Sequence, residues 1–208
     1  MEKVTEELID NLKRRNIRAA YFDDRAGGIQ ELLNVIPLGA SVGISGSKTL
    51  KELAIISKLE ARGNKVFNQY RPGISKDESL KLRELGVSAD YYLTSANALS
   101  KDGELVFLSA YGYRVAGIAN AKNVIVVCGI NKITSDIEAA LKRGRKYATT
   151  LNCKRLNWNS ACLDSGLCQK EICLLPNYKR MCCQILIIEA EVNSDRLKLI
   201  LIGESLGF

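Results

Sequence analysis

Apolar positions along this chain switch between a period of about four and short unbroken runs, and the two alternate from one end to the other. Val4, Leu8 and Leu12 recur every four residues and predict a helix reaching about Arg15. Residues 17–22 form a short apolar run, a strand. Ile29, Leu32, Leu33 and Ile36 mark a second helix, which Pro37 stops. Residues 40–44 predict a strand, followed by the tight small-residue turn Ser45, Gly46, Ser47 and a helix with Leu50, Leu53, Ala54 and Leu59 on its face. A strand at 65–67 follows, then a helix opened by Ser75 and Glu78 at capping-box spacing and continued by Leu82 and Leu85. Residues 91–94 read as another strand. Asp102 and Gly103, between short apolar pairs, have the look of a hairpin turn. Residues 112–119 fit a short helix or a loop.

The run 124–128 is too short for a helix and rich in β-branched residues, the mark of a buried strand. After it, Ser135 and Glu138 again have capping-box spacing. Ile137, Ala140 and Leu141 give a helical face, and Glu138 and Lys142 make an i,i+4 pair. Residues 184–190 and 197–202 predict two closing strands joined by a polar turn at Asn193, Ser194 and Asp195, a terminal β-hairpin. This alternation predicts one α/β domain over residues 1–208, a mostly parallel sheet with helices on both faces. Residues 152–183 interrupt it as a cysteine-rich irregular insertion.

Two predicted strands end in polar clusters: 91–94 in Ser95, Ala96 and Asn97, and 124–128 in Gly129, Asn131 and Lys132. Polar residues at two such ends place a candidate site at the carboxyl edge of the sheet. The turn after residue 44 adds free backbone N–H groups and the hydroxyls of Ser45, Ser47 and Thr49, donors suited to a phosphate or carboxylate. It matches neither a Walker A motif nor G-x-G-x-x-G, and its plainer role is a strand–helix connection with Ser47 as N-cap. Glu104 is a candidate general base or nucleophile, and Arg114 and Lys132 could hold an anion. The plainer alternatives are a solvated Glu104 on its hairpin and Arg114 in a surface ion pair.

Composition narrows the chemistry. No histidine is present, which excludes Ser–His and Cys–His catalysis and any His-ligated metal. The net charge is +7, but the basic residues are spread out, and the densest groups, 13–15 and 142–146, fall at predicted helix ends. A small anionic ligand accounts for that charge better than nucleic acid does. The N-terminal segment is too charged for a signal peptide and no apolar run approaches ~18 residues, so a cytoplasmic protein without a membrane span is expected. In that setting the seven cysteines, six of them between Cys153 and Cys183, point to a metal, an iron–sulfur cluster or free thiols rather than a disulfide framework. Cys162, Cys168, Cys173 and Cys182 are the candidate ligands for zinc or a cluster, although their spacing follows no standard finger or ferredoxin.

The ordered motifs SGSKTL, TSANALSKDGELV, YGYRVAG, VIVVCGINKI, a cysteine-bearing segment and a terminal LIGESLGF resemble the LUD (lactate-utilisation) domain family over residues 43–208, in its short cysteine-bearing form. The resemblance implies a Rossmann-like open sheet similar to the ribose-phosphate isomerase and CoA-transferase superfamily. It also implies a part in L-lactate or organic-acid oxidation beside iron–sulfur oxidoreductase subunits. Carried over by motif, its ligand-site positions are Ser45, Gly46, Ser47, Thr49, Thr94, Ser95, Asn97, Arg114, Gly129, Asn131 and Lys132, with Glu104 the one carboxylate in the motif. Related sugar-phosphate isomerases carry acidic residues where this chain has Ser95 and Asn97, which argues against aldose–ketose isomerisation. Where the family usually reads GNR, this chain has Gly112, Tyr113 and Arg114, so a bulky ring stands beside the expected pocket.

Overall fold

Residues 2–208 are described by a computed structural model. Its central sheet is parallel throughout, with β1 (Arg18–Phe22), β2 (Ser41–Ile44), β3 (Lys65–Phe67), β4 (Tyr91–Thr94), β7 (Asn123–Gly129) and β10 (Leu197–Ile202) in the order β1-β10-β7-β4-β2-β3. Strand alternation divides its side chains between two apolar layers. Val124, Val126 and Cys128 of β7 join Leu197, Leu199 and Leu201 of β10 on one face. Ile125, Val127, Ile200 and Ile202 lie on the other. Burial on both faces is why these strands read as continuous apolar runs rather than as alternating ones.

Helices α2 (Arg25–Val35), α3 (Lys48–Glu52) and α4 (Ile55–Ala61) cover the second face through Leu32, Leu50, Ile55 and Leu59. On the first face lie α1 (Glu2–Arg14), with Leu8 and Leu12 fully buried, then α5 (Lys76–Val87) and α6 (Tyr113–Asn120). The single helix expected after β2 is broken in two, because Ala54 adopts a left-handed conformation (φ 49°). The N-cap expected at Ser135 is instead Asp136, whose carboxylate accepts from the Ala139 N–H at 2.7 Å and opens α7 (Ile137–Arg143). Helical backbone then continues through a π segment, Gly144–Thr149, into α8 (Thr150–Leu156).

A second sheet completes the first face, with β8 (Ile133–Thr134), β5 (Ala98–Ser100), β6 (Leu105–Ser109) and β9 (Gln184–Ile188) in the order β8-β5-β6-β9. The expected hairpin at Gly103 is β5–β6, and Gly103 takes φ +100° in its turn. The expected terminal hairpin does not form. β9 pairs antiparallel with β6, whereas β10 enters the parallel sheet between β1 and β7. The physical reason is burial: Leu197, Leu199, Leu201 and Ile202 are at most 1 % exposed and need cover on both faces, which a closing hairpin cannot supply. Between α8 and β9 the chain is irregular except for α9 (Ala161–Ser165). Among the described residues, no helix is long and apolar enough to cross a membrane.

Candidate functional site

All central strands point their carboxyl ends to one edge, so the segments after β2, β4 and β7 meet there. Their polar residues form a buried network. Lys132, which is 4 % exposed, donates from Nζ to Ser95 Oγ at 2.7 Å, Thr49 Oγ1 at 2.9 Å and the Ala96 carbonyl at 3.1 Å. Ser95 Oγ donates to Thr49 Oγ1 at 3.3 Å, which in turn donates to the Leu206 carbonyl at 3.3 Å. Beside them Ser45 Oγ and Thr94 Oγ1 share a hydrogen bond at 2.7 Å. Every partner of Lys132 is neutral, so burial lowers its pKa to about 8, with Arg143 and Arg114 adding repulsion.

Arg114 is the second cation of this edge. Tyr113 and Arg114 open α6, which sets the guanidinium between β6 and the turn after β2. It donates to Asn97 Oδ1 at 3.1 Å, to the Leu108 carbonyl at 2.9 Å and to the Gly46 carbonyl. Those are neutral oxygens, and among the described residues the three bonds leave two of its five N–H donors unengaged. Burial depresses its pKa too, the Tyr92 and Tyr70 side chains opposing that effect. Asn97 serves Arg114 as a positioner: its Oδ1 also accepts from the Leu108 N–H at 2.9 Å, and its own N–H pairs with the Val106 carbonyl.

Arg114 opens onto a cleft of about 850 Å³. Ser45, Gly46, Ser47 and Asn97 border the same cleft, while Thr49, Thr94, Ser95 and Lys132 lie behind that wall. Ser47 Oγ accepts from the Leu50 N–H at 3.2 Å and so caps α3, a helix of only five residues. The turn therefore contributes little dipole, and the positive potential comes from side chains. The cleft is lined by four cations, Lys51, Arg83, Arg114 and Arg155, against one carboxylate, Glu60.

Three expected residues sit elsewhere. Glu104 does not line the cleft: its carboxylate pairs with Arg15 at 2.6 Å and accepts from Ser100 Oγ, closing the β5–β6 hairpin against the end of α1. Asn131 and Gly129 hold the C-terminal segment instead. Asn131 Oδ1 accepts from the Leu206 N–H at 3.1 Å, and a Cβ on Gly129 would meet the Glu204 carbonyl at 2.4 Å. The candidate metal ligands Cys162, Cys168, Cys173 and Cys182 do border one small cavity, with Cys153 and Met181. Thiols are the right donors for zinc or a cluster, yet among the described residues no three ligating groups are disposed to hold one ion.

A profile of the LUD domain matches residues 5–202. The chain belongs to the LUD domain family. In structure this LUD domain resembles a DUF162 family protein from Deinococcus radiodurans, with a TM-score of 0.52 at 10 % identity over 97 % of this chain and 98 % of the other. Partial likeness extends to ribose 5-phosphate isomerase from Plasmodium falciparum (TM-score 0.35, 14 % identity, 53 % and 52 % covered). It extends also to eIF2B beta from Chaetomium thermophilum (0.38, 19 %, 63 % and 46 %). No protein of curated function matches the chain in sequence.

The far wall of the LUD domain's cleft was not anticipated from the sequence. Tyr70, Tyr111 and Tyr113 surround Arg83, each ring centroid 5.9 Å from the guanidinium carbon, and Trp158 meets Tyr111 edge-on at 5.9 Å. Tyr113 alone carried a signal, as the ring standing where the family usually has asparagine. The others come from separate segments whose meeting no local pattern announces.

Proposed function

We propose that this LUD domain binds a small carboxylate- or phosphate-bearing ligand at the carboxyl edge of its sheet and works in the oxidation of L-lactate or a related organic acid. The observation that carries the reading is Arg114, a half-buried cation held by neutral oxygens, with two donors left over and no carboxylate partner among the described residues, on a cleft with a fourfold excess of cations. Buried cations are stable when paired, so an anionic ligand supplies the missing charge. Lys132 reinforces the field from behind the wall. The pathway and the iron–sulfur oxidoreductase partners follow from the family alone.

The site favours binding over carboxylate acid–base chemistry. Glu104 is engaged with Arg15 and Ser100, and the positions of the isomerase acids are filled by Ser95 and Asn97. Calorimetric titration with inorganic phosphate and L-lactate tests the reading. Arg114→Gln should weaken anion binding at least tenfold and Arg114→Lys should restore part of it, with both variants checked for folding by circular dichroism. Equal affinity in wild type and Arg114→Gln would overturn it.

A second reading concerns the cysteine segment, where the convergence of Cys162, Cys168, Cys173 and Cys182 on one cavity favours a metal-bound accessory role. A zinc ion or cluster would have to draw those thiols inward from their present positions. Metal and acid-labile sulfide content of protein purified without oxygen decides it.

A further inference from the structure

The cleft is larger than its anion end requires. About 850 Å³ is the size of sites that enclose drug-sized or cofactor-sized molecules, and a three-carbon hydroxy acid would fill a small corner of it. Away from Arg114 the lining turns aromatic. Tyr70 and Tyr111 are 49 % and 65 % exposed, so large rings stand in the cleft rather than in the core. Arg83 lies equally close to three rings and holds them as one cluster. The two ends of the cleft adjoin: a Cβ on Gly46 would lie 2.7 Å from the Tyr70 hydroxyl. Tyrosines gathered about an arginine are common on protein surfaces. Here they share the cleft with a third feature. Gln69, 7 % exposed, donates from Nε2 to the Ile44 carbonyl at 2.8 Å, which fixes its orientation and leaves Oε1 buried with no partner among the described residues. An orphaned acceptor asks for an N–H or O–H donor, which a fully ionised phosphate lacks.

We infer that the ligand belongs to the nucleoside phosphate class: an anionic group at Arg114, a planar ring system among Tyr70, Tyr111 and Tyr113, and a sugar or base donor for Gln69 Oε1. This inference rests on the anion reading above and adds the ring. Aromatic stacking supplies affinity that a sugar phosphate or hydroxy acid cannot gain from the same walls.

The chain has one tryptophan, Trp158, and it lines the cleft, so its fluorescence reports ring binding directly. The probes are inorganic phosphate, ribose 5-phosphate, adenosine 5′-monophosphate and flavin mononucleotide, with affinities from calorimetry. The expected result is at least one ringed probe binding tenfold or more tighter than ribose 5-phosphate and changing Trp158 fluorescence. Tyr111→Leu, at an exposed position that spares folding, should weaken that probe about tenfold more than it weakens inorganic phosphate. Ringed probes no tighter than ribose 5-phosphate, or insensitive to Tyr111→Leu, overturn the inference. If Arg114→Gln still weakens phosphate in that case, the anion reading stands and only the ring falls. If phosphate binding is absent or indifferent to Arg114→Gln, both fall.

Discussion

Lys132 Nζ donates to Ser95 Oγ at 2.7 Å in a pocket where none of its three hydrogen-bond acceptors carries a charge. One side chain thus ties the segment after β7 to the segments after β2 and β4, and places a buried cation behind the Arg114 end of the cleft. Cys128, Arg143, Arg114 and Glu52 are the other titratable groups that act on it.

The pH dependence follows from that burial. The folded-state pKa of Lys132 is lowered to about 8, below its unfolded value, so the unfolded chain binds more protons between the two. Stability contributed by this group therefore rises as pH climbs from about 8 through the ordinary lysine range, by a few kcal/mol, on the order of 3. Anion binding moves the other way, weakening several-fold above about pH 8 as the ammonium discharges. Lys132→Met should flatten both trends, seen in denaturant melts and phosphate titrations at pH 7 and pH 9.5. A wild type whose anion affinity is unchanged over that range would remove Lys132 from the electrostatics of the site.

Glu104→Gln separates a structural from a chemical carboxylate. With side chains 13 % and 28 % exposed, Glu104 and Arg15 form a partly screened pair, and Arg15 also donates to the Asp102 and Glu189 carbonyls. Loss of the charge should cost about 1–2 kcal/mol in urea unfolding. Phosphate affinity should stay within twofold of wild type. A large loss of affinity without a loss of stability would return Glu104 to the site.

The close approach of β2 to α5 gives an asymmetric pair. A Cβ on Gly43 would fall 1.9 Å from the Gly86 carbonyl oxygen, a backbone atom that cannot rotate away. A Cβ on Gly86 would meet Gly43 Cα at 3.4 Å and Phe67 Cβ at 3.5 Å, near ordinary contact. Gly43→Ala should therefore cost about 3 kcal/mol or more, or prevent folding. Gly86→Ala should stay within about 1 kcal/mol of wild type, its helix propensity offsetting the tighter fit. Thermal melts of the two variants check the contrast.

The parallel core was legible because β7 and β10 are buried on both faces, and burial leaves a run of β-branched and aliphatic residues. Which strand β10 pairs with was not legible, since periodicity records a face and not a neighbour. β8, two residues long, left no signal at all. Asn97 stood out as a polar residue after a strand and Arg114 through the YGYRVAG motif, and the fold sets the two within hydrogen-bond distance of each other. Glu104 stood in the same motif but at the opposite end of the β5–β6 hairpin, a distinction that exists only once the hairpin is folded. The aromatic wall needs Tyr70 after β3, Arg83 on α5, Tyr111 before α6 and Trp158 after α8, and only tertiary structure brings these together.

The cysteines should differ in reactivity according to where the fold leaves them. Cys183 is exposed, Cys168 and Cys182 are half-buried, and Cys128, Cys153, Cys162 and Cys173 are buried. Burial pushes the Cys153 thiol up to about 12 and raises those of Cys168 and Cys183 as well. The thiolate is the reacting form, so iodoacetamide labelling at pH 7.5 should mark Cys183 first, then Cys168 and Cys182, and leave the buried four until the protein is denatured. Because the thiols of Cys168 and Cys183 are raised, each should react about tenfold faster per unit of pH below its pKa, as the thiolate fraction grows in that proportion. Site-resolved mass spectrometry of the labelled peptides gives the order. A metal bound in the native protein would instead protect Cys168 and Cys182 along with Cys162 and Cys173, and a chelator or acid would expose them. Fast labelling of Cys153 in native protein would show that the segment after α8 opens and uncouples Cys153 from Met181 and Cys162.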